Sequence, residues 1–177
     1  MAETVAPRAP SAPTGQYLAF SLADAVYAVE LPRVREILEF SRPTLVPGSP
    51  HFLRGVINVR GGVVPVVDLR LKLGVHAAPE TKQTCTVIVE VTAGWGEPVR
   101  LGLIVDTVND IVDLAPGDIE APPPFGTKIR LDFLRGVGKA GGALYLVLEI
   151  DRVLSPDEVS QVDAALGEAR SEGEGRG

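Results

Sequence analysis

The chain is predicted to be an all-β protein built from two small units of about five strands each, with one short helix at its C-terminal end. Three observations predict it. The middle of the sequence is dominated by Val, Leu and Ile in runs of period two, with only 5% aromatic residues in 177, so the core must be aliphatic and strand-forming. Glycine (19) and proline (15) are spread among these runs, as many short strands require many turns. The third observation is an internal repeat: Phe52-Leu53-Arg54-Gly55-Val56 recurs as Phe133-Leu134-Arg135-Gly136-Val137, and both copies run into a glycine pair, Gly61-Gly62 and Gly141-Gly142. Upstream, Val34-Arg35-Glu36-Ile37 is echoed by Val108-Asn109-Asp110-Ile111. Two matches in the same order indicate a duplicated β-structure, too long per unit for a solenoid. Closing each unit into a barrel would remove its exposed edges, and a groove between two barrels would be a natural binding place.

The elements follow in order. Residues 1–15, rich in Ala, Pro, Ser and Thr, read as a disordered leader. Leu18, Phe20 and Leu22 alternate with Ala19 and Ser21, so Tyr17 to Leu22 reads as a strand. It turns at Ala23-Asp24 into Val26 to Val29. Pro32 ends that strand before Arg35 to Phe40, and Pro43, Pro47 and Pro50 mark an irregular crossing. Gly55 to Arg60 and Val63 to Asp68 form a hairpin about Gly61-Gly62. Thr84 to Thr92 and Pro98 to Asp106 are strands joined by residues 93–96, and Thr107 to Leu114 is another. The proline cluster at 122–124 reads as a loop. Leu134 to Gly138 and Ala143 to Glu149 make the last hairpin. The two repeats divide at about residues 16–83 and 84–150. Ser155-Pro156-Asp157-Glu158 carries a capping serine, a proline in the first helical position and Glu at the third, so a helix is expected from Pro156 to Ala169, with a flexible tail over 170–177.

Composition excludes several function classes. A net charge of −6 argues against nucleic acid, whose binding needs a positive face. A single cysteine, Cys85, rules out a disulfide framework and fits a reducing cytosol. Apolar runs such as Val63 to Val67 fall far short of the ~20 residues of a membrane helix. The expectation is a soluble protein inside the cell. His51 and His76 stand apart in loops, so no metal site is expected. Cys85 has no basic neighbour to stabilise a thiolate. Gly136-x-Gly138-x-x-Gly141 matches a phosphate-binding glycine pattern, but a strand rather than a helix follows it, so hairpin geometry is the better reading. No catalytic group and no cofactor is expected.

The stretch Gly55-Val56-Ile57-Asn58-Val59-Arg60-Gly61-Gly62-Val63-Val64-Pro65-Val66-Val67-Asp68-Leu69-Arg70 resembles the signature of CheW-like domains, with an Asn-x-Arg-Gly turn, a proline in an apolar strand and an Asp-Leu-Arg ending. Val34-x-Glu36-Ile37, Gly102-x-x-Val105-Asp106-x-Val108 and Leu134-x-Gly136-Val137 resemble further family motifs, in order over residues 15–155. The resemblance implies two SH3-like five-stranded β-barrels. It also implies an adaptor, not an enzyme, that couples the cytoplasmic tip of a chemoreceptor to the histidine kinase CheA. Related alternatives are a coupling protein for surface motility or development, or a small-ligand-binding β-barrel. On the family's pattern Glu36 and Arg60 pair across adjacent strands, forming either a plain surface ion pair or part of a partner-binding face. Val34 and Ile37 flank the acid and serve an interface or the core. Gly55 and Gly61 stand where a side chain would obstruct the backbone or where turn geometry alone demands glycine. Asn58 is expected to stabilise the turn. The protein-binding candidates are therefore Val34, Glu36, Ile37, Gly55, Asn58, Arg60 and Gly61. In the second repeat the matching turn, Gly138-Lys139-Ala140-Gly141, lacks the arginine.

Overall fold

The computed structural model describes residues 15–74, 79–92, 98–121 and 133–175, with side chains as far as residue 167. The expected leader up to residue 14, His76, the turn at 93–96 and the proline cluster at 122–124 lie outside the described residues. The strands are β1 (Gln16–Leu22), β2 (Ala25–Glu30), β3 (Val34–Glu39), β4 (Leu53–Val59), β5 (Gly62–Asp68), β6 (Cys85–Val91), β7 (Val99–Val105), β8 (Thr107–Asp113), β9 (Ile119–Glu120), β10 (Leu134–Ala140) and β11 (Ala143–Leu148). The α-helices among the described residues are α1 (Leu69–Leu73) and α2 (Pro156–Gly175), with short 3-10 turns such as Ile150–Arg152. The all-β architecture expected of the sequence is present, as two SH3-like strand units with a C-terminal helix.

The strands form a five-stranded sheet in the order β3-β6-β7-β5-β4 and a six-stranded sheet in the order β8-β1-β2-β11-β10-β9. The second repeat follows the first in its strands, β9 apart. Each β4–β5-type hairpin carries a register shift at the same point, Leu53/Gly55 and Leu134/Gly136. Each makes a parallel pairing with a hairpin strand, β5 with β7 and β11 with β2. However, each sheet draws on both repeats. The hairpin β6–β7 of the second repeat completes the sheet of β3, β4 and β5, and β1–β2 of the first completes the sheet of β8 to β11. The boundary near residue 83 separates the copies in sequence but not the units in space. A hairpin leaves its two outer edges open, and here each repeat's hairpin fills the gap left in the other's sheet.

Backbone pairing does not close either sheet into a barrel: β3 and β4 remain the two ends of one ladder, β8 and β9 of the other. The outer side of β4 is capped by a single bridge, Thr44 to Val56, at the place where β9 caps β10. Among the described residues, the facing sides of the two sheets meet in packed side chains. Leu18, Phe20, Tyr27 and Val29 of the six-stranded sheet pack with Val67, Val87, Val89, Leu101 and Leu103 of the five-stranded sheet in one continuous core. Val159, Val162, Ala165 and Leu166 of α2 join the same core. On the opposite sides, Tyr17, Ala28, Leu114 and Val147 fill the six-stranded unit, and Val59, Val64 and Ile88 fill the five-stranded one.

Two local features differ from the sequence expectation. The segment after β5 is a short helix, with the Asp68 carboxylate accepting the Arg70 N–H at its start and Gly74 in the left-handed conformation at its end. Helix α2 starts as expected: the Ser155 N–H donates to Glu158 and the Glu158 N–H to the Ser155 hydroxyl, a reciprocal capping box. It then runs on to Gly175 rather than stopping at residue 169, because Glu, Ala and Arg in 168–174 are good helix formers. Gly15, placed in the leader, is tied down, its carbonyl accepting the Leu114 N–H at 2.7 Å.

Candidate functional site

The turn between β4 and β5 sets the site. Arg60 and Gly61 both have positive φ, +53° and +85°. This is the mirror-image two-residue turn whose twist matches that of paired strands. Gly61 suits it without steric cost, and no atom lies within 4 Å of a Cβ built there, so turn conformation alone accounts for that glycine. Asn58 closes the turn, its side-chain oxygen accepting the Gly61 N–H at 3.1 Å. Arg60 is the exception, a branched-out side chain on a left-handed backbone.

That conformation carries the guanidinium to Glu36. Arg60 Nε donates to Glu36 Oε2 at 2.8 Å and Nη2 to Oε1 at 3.1 Å, a two-pronged ion pair. The hydrogen bonds and charge of Arg60 hold the Glu36 carboxyl below the usual range. Glu36 faces this way because β3 bulges at Arg35: Val34 lies opposite Val89 and Glu36 opposite Ile88, so one residue is skipped and the acid turns to the Ile88 side. The pair does not join neighbouring strands, as the family pattern suggested. It joins β3 to the β4–β5 turn, at opposite ends of the sheet order, and bridges the seam that backbone pairing leaves open. Beneath it lie Val59, Val64 and Ile88, with Leu38 and Ile57 packed alongside. Arg60 is 74% exposed and Glu36 20%, so the arginine is presented to solvent while the acid is half covered.

The other candidates separate by role. Ile37 is exposed, on the side of β3 away from the acid. Val34 is half-buried against the main core. Gly55 serves packing: a Cβ there would fall 2.2 Å from the Thr44 carbonyl oxygen, and its φ is +142°. Its repeat counterpart Gly136 is crowded in the same way by the Glu120 carbonyl, at 2.4 Å. The Gly136-x-Gly138-x-x-Gly141 pattern is accordingly spread along β10 and its turn, with Gly138 packed against Leu114. Thus Glu36, Asn58, Arg60 and Gly61 come together at one seam, Ile37 lies exposed on the other side of β3, Val34 packs against the main core and Gly55 against Thr44.

In the second repeat Gly141, φ +58°, stands where Arg60 stands in the first, followed by Gly142 at +82°. Asp110 holds the place of Glu36 on β8, and its carboxylate accepts the Ile111 N–H at 2.8 Å. Ion pairs that sequence reasoning passed over lie elsewhere. Arg54 bonds Asp68, and Arg135, at the equivalent place, bonds Glu149 and Glu30. The repeated Phe-Leu-Arg-Gly-Val was the available signal for them. Lys72 pairs with Glu158 of α2 and lies over the rings of Phe52 and Phe133, the first residues of the two repeat motifs. Among the described residues, no group of three or more His, Cys, Asp or Glu is placed to hold a metal ion, and no helix is long and apolar enough to cross a membrane.

Two SH3-like strand units made by an exchanged duplication, with a seam closed by a turn arginine, define the class of molecule. The sequence profile of the CheW-like domain matches residues 16–158. The chain is 33% identical over 140 residues to chemotaxis protein CheW of Bacillus subtilis (strain 168), covering 79% of this chain and 86% of that one. It is 32% identical over 143 residues to chemotaxis protein CheW of Rhizobium meliloti (strain 1021), covering 81% and 89%. The crystal structure of the scaffolding protein TtCheW from Thermoanaerobacter tengcongensis superposes with a TM-score of 0.73 at 29% identity, over 81% of this chain and 94% of that one. The chain belongs to the CheW-like domain family.

Proposed function

We propose that this chain is a non-enzymatic chemotaxis adaptor that couples the cytoplasmic tip of a chemoreceptor to a CheA-type histidine kinase. It would work in the cytoplasm, drawn to membrane receptor arrays by protein contacts alone. The observation that carries this reading is the family match along residues 16–158, in a fold whose counterpart is itself a scaffolding protein. The seam of the five-stranded sheet is the partner-binding surface. Arg60 and Glu36 provide its charged part, Asn58 and Gly61 the turn that holds the arginine out, and Ile37 an exposed apolar contact on the other side of β3. Val34 and Gly55 support it through packing.

Interfaces of this kind need bury only roughly 800 Å² per partner, and attachment to two partners in an array multiplies weak affinities through local concentration. Co-sedimentation of chemoreceptor cytoplasmic fragments with the kinase tests the proposal. The wild-type chain brings the kinase into the receptor pellet and places its activity under receptor control. Arg60→Ala, folded to the same melting temperature, loses that control. Full control retained by Arg60→Ala removes the seam from the site, and a wild-type chain that recruits no kinase removes the adaptor reading itself.

A further inference from the structure

The chain passes between the two sheets at Leu31–Arg33, from β2 to β3, and at Asp106, from β7 to β8. Both crossings are gripped. At the second, Arg70 donates Nη1 to Asp106 at 3.2 Å while its Nε and Nη2 bond Asp68 at 3.0 and 3.1 Å. The other Asp106 oxygen accepts the Ala23 N–H at 2.8 Å, in the β1–β2 turn of the opposite sheet. At the first crossing Arg33 reaches Asp151, in the 3-10 turn after β11, through Nη1 at 2.9 Å and Nη2 at 2.5 Å. Arg33 also donates to the Glu90 carbonyl at 2.9 Å, and Asp151 accepts the Thr92 N–H at 3.1 Å, just after β6.

These are the same device twice, with the charges exchanged. Arg70 and Asp151 occupy matching places after β5 and β11, and Ala23 and Thr92 occupy matching places after β1 and β6. Where one repeat puts the cation after its last strand and the anion on the crossing, the other does the reverse. Between them lies a core mainly of Val, Leu and Ile, with Phe20 and Tyr27 among them. Burial of such side chains is non-directional, and it fixes the angle between two sheets less sharply than a directional bond does. Two-pronged ion pairs are directional, and fixing register is the best-attested use of such buried groups.

We propose that the two crossings are a matched pair of latches that set the angle between the sheets. Arg33 and Asp151 are the more compliant latch: the Arg33 side chain is 27% exposed against 1% for Arg70, while the two acids, Asp151 at 20% and Asp106 at 22%, are covered alike. Arg33, Asp151, Arg70 and Asp106 are thus positioning residues for the spacing between the two sheet units.

The test is a distance measurement by double electron–electron resonance. Spin labels at the exposed positions Ile37→Cys, on β3, and Leu144→Cys, on β11, are placed in a Cys85→Ser chain. The parent gives one narrow distance. Arg33→Met with Asp151→Leu, which keeps apolar bulk in place of the pair, retains the melting temperature but spreads the distance into a broad distribution. Should that variant fail to fold, Arg33→Asp alone broadens the peak, and Arg33→Asp with Asp151→Arg, copying the polarity of the other latch, narrows it again. A peak that stays narrow and unmoved in the folded apolar or single variant overturns the proposal, as does a reversed pair no narrower than the single one.

Discussion

Arg60 holds a backbone conformation that the second repeat gives to glycine, and it holds it for a contact that glycine cannot make. A side chain kept at positive φ against its own preference points to use rather than stability. Arg60→Gly is therefore expected to leave the thermal midpoint close to wild type while abolishing kinase coupling, a separation that paired thermal-shift and coupling assays would show. Gly55 predicts the opposite. A methyl group there meets the Thr44 backbone, which two hydrogen bonds fix to Val56. Gly55→Ala should cost about 2–4 kcal/mol in urea unfolding, since both the backbone and its bridge must shift. The Glu36–Arg60 partnership was implied by the resemblance to the CheW-like pattern, and the turn that presents Arg60 by the residues Asn58-x-Arg60-Gly61. The reason for Gly55 was not, because Thr44 approaches it from eleven residues away in sequence, across the irregular proline segment.

At the level of elements, α1 and α2 depend on charges that the sequence presented only as scattered residues. Burial pushes the Asp68 carboxyl up, but hydrogen bonds and charge from Arg70, with help from Arg54, outweigh it and hold Asp68 below the ordinary range. A carboxyl lowered in the folded state stabilises above its unfolded pKa, and that contribution fades as pH falls through the lowered folded value. Urea unfolding should accordingly weaken from about pH 4 downward, and the Asp68→Asn variant should be weaker at neutral pH with a shallower decline. Helix α2 is fastened by Lys72, whose side chain is 4% exposed and faces Glu158. Lys72→Ala leaves that acid half-buried without its cation and should cost about 2–4 kcal/mol, much of it recovered in Lys72→Met with Glu158→Leu. The start of α2 was legible in Ser-Pro-Asp-Glu because a capping box is local chemistry. Helix α1 was not, since five residues between an apolar strand and a glycine carry too little periodicity to separate from the strand. Strand β9, two residues long, exists only because β10 lies beside it.

For the whole molecule, the repeat was plain in the sequence: a motif recurring with its glycine pair is enough to show duplication. What strand periods could not show is which copy's hairpin completes which sheet, because both hairpins are equally apolar and equally short of neighbours. The register and parallel pairings of β5 with β7 and of β11 with β2 decide it. That exchange has a consequence for anyone who divides the coding region. Cutting between the copies, near residue 83, yields two polypeptides of which neither can complete a sheet alone, so each produced singly should be recovered as insoluble material. Produced together, they should find one another and restore a soluble heterodimer with the circular-dichroism spectrum of the intact chain.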